Sequence, residues 1–149
     1  MGRAIGVLAF IDAIFAVLMV VSALVDARHR RFPCAVGLAL GLCTAVRTGI
    51  AQGPIRLACN AAVGFTICML LVAVELVWRR YRGKIGIGMG DIKYLFATCL
   101  FDPVVAVLAF CCALVLLATA GIALRCASLP LLPFAAACFP VANAICAAF

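Results

Sequence analysis

Apolar runs long enough to cross a hydrocarbon core recur along this chain, with only short polar turns between them. The first, Ala4–Val25, would extend ~33 Å as a helix rising 1.5 Å per residue, enough to span a bilayer. Of the 149 residues, 69% are hydrophobic and 11% are charged. A soluble domain of this length has no polar exterior to match so much apolar surface. The pattern predicts an all-α membrane protein: a polytopic bundle of six transmembrane helices forming one integral-membrane domain over residues 1–149.

The expected segments are Ala4–Val25, Cys34 to about Val46, Ile55–Trp78, Ile85–Leu100, Val104–Leu124 and Leu129–Phe149. A basic loop, Asp26 to Pro33, follows the first. A polar turn, Arg47 to Pro54, follows the second, and a second basic loop, Arg79 to Lys84, follows the third. The fourth segment is irregular at its Gly-rich start, because Gly86, Gly88 and Gly90 disfavour helix before Gly90. A helix over Ile92–Leu100 reaches only ~13 Å. Either the Gly-rich stretch enters the bilayer as buried non-helical backbone, or this segment does not cross.

The net charge of +7 raises the question of nucleic acid. The basic residues lie in short loops without interleaved aromatics, so orientation in a lipid bilayer accounts for them and no nucleic-acid partner is expected. With six crossings, one side receives Arg28, Arg30, Arg31, Arg79, Arg80, Arg82, Lys84, Lys93 and Arg125. The other receives Arg3, Arg47 and Arg56. Positive charge gathers on the cytoplasmic side of such proteins, which puts both termini outside.

Ten cysteines form no CxxC and lie mostly in apolar runs, so they read as small hydrophobes, with neither a disulfide framework nor a metal site expected. The first apolar run exceeds a signal-peptide core and is expected to remain as a helix. Gly6 stands where a myristoylation signal needs Ser or Thr.

Five acids remain: Asp12, Asp26, Glu75, Asp91 and Asp102. Glu75 precedes Arg79 by four residues, the spacing of a helical ion pair. Asp102 before Pro103 has the form of a turn or helix cap. Asp12 lies inside the first segment with no partner near in sequence, and is expected to be neutral and hydrogen-bonded to another helix. Asp26 and Asp91 both fall at the cytoplasmic membrane edge. If they converge, they share a proton: one acts as base toward water while the other polarises a carbonyl. The competing reading is that Asp26 caps a loop and Asp91 a helix N-terminus.

The run Gly88-Met89-Gly90-Asp91-Ile92-Lys93 resembles the GxGD motif of intramembrane aspartyl proteases, and most closely that of type IV prepilin peptidases. Asp26 followed by a basic loop and Phe32-Pro33 resembles their first motif, and Leu129-Pro130-Leu131-Leu132-Pro133-Phe134 their late proline pair. Phe32 and Cys34 depart from the family's usual Ile and Asn. The resemblance runs from Leu24 to Phe134. It implies a six-helix core, a true though irregular fourth crossing, and Asp26 and Asp91 as the catalytic pair facing the cytoplasm. Gly88, Gly90, Pro33, Pro130 and Pro133 would support the site, while Lys93 either acts on Asp91 or the substrate, or snorkels to the interface.

Without a methyltransferase region or a four-cysteine zinc loop, the chain resembles the short, peptidase-only branch that serves Flp (tight-adherence) pili. The expectation is therefore a leader peptidase of a bacterial inner membrane, with no cofactor and no metal, acting on a prepilin or pseudopilin precursor that carries an apolar helix. Two other classes stay open: an ion or small-solute transporter using Asp12 and Asp91, and a noncatalytic scaffold of a secretion system.

Overall fold

The computed structural model describes residues 2–29, 33–83, 87–125 and 129–148. They form six helices: α1 (Gly2–His29), α2 (Cys34–Gln52), α3 (Pro54–Arg82), α4 (Met89–Cys99), α5 (Pro103–Leu124) and α6 (Leu132–Ala148). No strand occurs among the described residues. Four helices, α1, α2, α3 and α5, are long and apolar enough to cross a membrane. The α6 helix is apolar but shorter, and α4 has only 11 residues.

Polarity is arranged inside out. Phe10, Val17, Leu38, Leu70, Val115 and Ile122 face outward, while Ser22, Asp26, Thr44, Thr48, Asn60, Glu75 and Thr98 are buried. A bilayer offers no hydrogen bonds, so polar groups must be satisfied inside the bundle while apolar side chains meet lipid. With four helices long and apolar enough to span, this arrangement is that of an integral membrane protein.

The neighbours are α1 with α2 and α6, α2 with α3, α3 with α5, and α5 with α6, while α4 packs against α2, α3 and α5. Ile92, Tyr94, Leu95, Ala97, Thr98 and Cys99 of α4 are all buried. Close approach to α3 occurs at Gly64, where an added Cβ would lie 2.7 Å from the Cβ of Cys99. Small residues at helix contacts allow this proximity, and van der Waals packing drives association in lipid.

A helix this short ends inside the bundle, where its last carbonyls need partners. They are supplied by neighbouring side chains. Thr44 donates to the Ala97 carbonyl (2.8 Å), Thr48 to that of Leu100 (2.9 Å), and Asn60 Nδ2 to that of Phe101 (3.1 Å). Stripping a donor from a buried acceptor costs about 1–3 kcal/mol. Asn60→Leu is accordingly expected to lower the melting temperature of the detergent-solubilised protein, and more so than Asn60→Ser, which keeps a hydroxyl.

Several boundaries move from their expected places. The polar turn expected from Arg47 to Pro54 is mostly helix, because Arg47 and Thr48 find partners within the protein and require no loop. The break falls at Gly53, whose φ of 88° and ψ of 165° suit only glycine, and Pro54 then starts α3. Helix α1 runs on past Val25, which places Asp26 in a helical turn and not in the loop. Arg79, Arg80 and Arg82 likewise occupy the last turn of α3. Positions 30–32 and 84–86, which carry the rest of both basic loops and Gly86, lie outside the described residues.

The turn between α4 and α5 is fixed from both sides. Asp102 caps α5, its Oδ1 accepting from the backbone N–H groups of Val104 (2.8 Å) and Val105 (3.3 Å), as its position before Pro103 suggested. Phe101 stacks on Phe15 and meets Phe139 edge-on, joining the turn to α1 and α6.

Candidate active site

Asp26 sits near the end of α1 with 9% of its surface exposed. Its Oδ2 accepts a hydrogen bond from the backbone N–H of Leu132 at 3.3 Å. Leu132 is the first residue of α6, so the carboxylate faces the positive end of that helix. This explains the late proline pair. Pro130 precedes the helix, and Pro133 falls in its first turn, where a missing N–H costs nothing. Between them the two prolines fix where α6 begins, and hence where its free N–H groups meet Asp26.

Asp91 lies in the first turn of α4, behind Gly88, which occupies the N-cap in an extended conformation. The Gly88 N–H faces the Asp91 carboxylate. The contact is tight enough that a Cβ on Gly88 would sit 2.9 Å from Asp91 Oδ2. Gly90 is the second residue of α4 and is half-buried. The missing side chain of Gly88 thus makes room for the acid itself.

The two acids come together. Asp91 lies within electrostatic reach of the charge on Asp26. One level deeper, Tyr94 of α4 donates its hydroxyl to the Met19 sulfur of α1 at 3.2 Å. Tyr94 follows Asp91 by one helical turn and Met19 precedes Asp26 by two, so this contact aligns the two acid-bearing faces. Two carboxylates in mutual repulsion, each backed by a helix N-terminus, can hold one proton between them and do acid and base chemistry.

Lys93 does not join them. Two residues along a helix is about 200°, and Lys93 points to the start of α2, its Nζ 3.2 Å from the Cys34 sulfur. Pro33 is the N-cap of α2, its carbonyl accepting from Val36 (3.1 Å) and Gly37 (3.3 Å). Pro33 thus starts α2, and Lys93 reaches the same helix start.

Asp12 has a partner that sequence distance concealed. Arg47 Nε lies 2.7 Å from its Oδ1, and the same guanidinium covers the Phe101 ring at 4.0 Å. The expected hydrogen bond to another helix is present, but its donor is a cation, so the contact is an ion pair that ties α1 to α2 near the end of the bundle away from Asp26. The reason is that Arg47 is helical and turned inward, where the sequence suggested an exposed loop.

Glu75 makes contacts both within and beyond its helix. It makes the expected pair with Arg79 (2.7 Å). Its second oxygen accepts the backbone N–H of Ile87 at 2.8 Å, on the Gly-rich segment. Spacing signals the first contact but not the second, which spans the loop between α3 and α4. No protein-family model, curated protein or solved structure matches the chain.

Proposed function

We propose that the protein is a membrane-embedded aspartyl endopeptidase that removes the basic leader from prepilin-like precursors at the cytoplasmic face. The observation that carries the reading is the meeting of Asp26 on α1 with Asp91 on α4, behind a Gly88-Met89-Gly90-Asp91 stretch. One carboxylate takes a proton from water as that water attacks the peptide carbonyl. The protonated partner donates toward the carbonyl oxygen and later assists the leaving amine. Apparent pKa values would belong to the pair as a unit.

Orientation follows from charge. Arg28, Arg79, Arg80, Arg82 and Lys93 lie on the helical ends and turns nearest the two acids, so the positive-inside rule turns this end toward the cytoplasm of a bacterial inner membrane. The precursor's apolar helix would lie in the bilayer beside the bundle, with the leader junction reaching Asp26 and Asp91.

The test is cleavage, by the purified protein in lipid nanodiscs, of a precursor with a Gly-ended basic leader and an apolar helix. The wild type and Asp12→Asn are expected to process it at similar rates, because Asp12 is engaged by Arg47 far from the acids. Asp12→Asn is expected to lower the melting temperature by a few degrees, since Arg47 loses its counter-charge. No cleavage by the wild type, or a full loss on Asp12→Asn alone, would overturn the peptidase reading, and the latter would favour transport.

A further inference from the structure

Building on the peptidase reading, we infer that Glu75 is a positioning residue for Asp91, acting through the backbone of Ile87. The local argument begins with cost. A carboxylate in a bilayer-spanning helix is expensive, and an ion pair with Arg79 alone would be made more cheaply at the surface. Arg79 is 38% exposed, whereas the Glu75 side chain is only 4% exposed. The acid is turned inward although its cation is at the edge.

What it meets inside is backbone. Ile87 precedes the N-cap of α4 and is not helical, so its N–H has no partner within a helix. Glu75 Oε2 accepts that N–H at 2.8 Å, and the Ile87 side chain packs against the core. These two contacts hold the peptide that leads directly into Gly88. Gly88 in turn lies under the Asp91 carboxylate, 2.9 Å from it where a Cβ would be. A continuous path thus runs from α3 through Glu75, Ile87 and Gly88 to Asp91. Its function is to stop a glycine-rich segment, free by composition, from drifting under the acid.

A displacement of about 1 Å at a reacting group can cost about a hundredfold in rate. Glu75→Ala removes the tether; Glu75→Gln keeps an oxygen that can accept from Ile87. Two measurements on nanodisc-embedded protein separate the possibilities: steady-state cleavage, and backbone hydrogen exchange over residues 87–92. Glu75→Ala is expected to lower kcat about 10- to 100-fold with little change in KM, and to speed exchange in that segment while the rest of α3 stays protected. Glu75→Gln is expected to restore most of both.

Unchanged exchange in Glu75→Ala would overturn the tether. Faster exchange with wild-type kcat would overturn its role in catalysis, as would equal loss in Ala and Gln variants that tracks only the folded fraction. If the wild type cleaves nothing yet Glu75→Ala still loosens residues 87–92, the tether stands and the peptidase reading falls.

Discussion

Asp26→Asn and Asp91→Asn are each expected to reduce leader cleavage by at least about a thousandfold while leaving a folded, membrane-inserted protein, since members of an acid–base pair fail together. The substitution is a clean one at both positions. An Asn at position 26 still offers an oxygen to the Leu132 N–H, which the Asp accepts at 3.3 Å. At position 91 it still offers one to Gly88. Shape and capping survive; the ability to exchange a proton does not. The double variant should be no worse than either single one, because removing one partner already disables the unit. Cleavage assays, with melting temperature as the control for folding, check this. Either single variant retaining a tenth of wild-type activity would sink the two-acid mechanism.

Gly88→Ala is expected to cost about a hundredfold in kcat with only a small change in stability. The Cβ would stand 2.9 Å from Asp91 Oδ2, closer than such contacts allow. The atom that yields is the end of a short side chain, so the backbone survives and the carboxylate turns away from Asp26. Gly53→Ala makes the informative contrast. Its φ of 88° strains any L-residue, and nothing lies within 4 Å of its would-be Cβ. That variant should lose stability, by about 1–3 kcal/mol, and keep its rate. If the two variants behaved alike, the clearance assigned to Gly88 would be wrong.

The fold was legible because lipid imposes one simple demand, long apolar helices, and the chain answers it in Ala4–Val25 and Val104–Leu124 with almost no interruption. Helix ends were harder to read wherever a polar residue has an interior partner. Arg47 and Thr48 look like loop residues until Asp12 and the Leu100 carbonyl are placed opposite them. The acids at positions 26 and 91 stood out because charge is rare in such a sequence, and motif resemblance linked them. Gly88 was legible as part of the motif, but the support from the Leu132 N–H and from the second oxygen of Glu75 was not. Both act through backbone N–H groups, and such contacts leave no trace in residue type alone.

The hydroxyl and amide donors that close the end of α4 bear on how the protein is made. An 11-residue helix has too little apolar length to be held by the bilayer on its own. Its terminal carbonyls become tolerable only against Thr44, Thr48 and Asn60, which arrive earlier in synthesis on α2 and α3. The seating of α4 is therefore expected to depend on α2 and α3, which precede it in the chain and carry those donors. On the proposed peptidase reading, the pairing of Asp91 with Asp26 would depend on that seating as well.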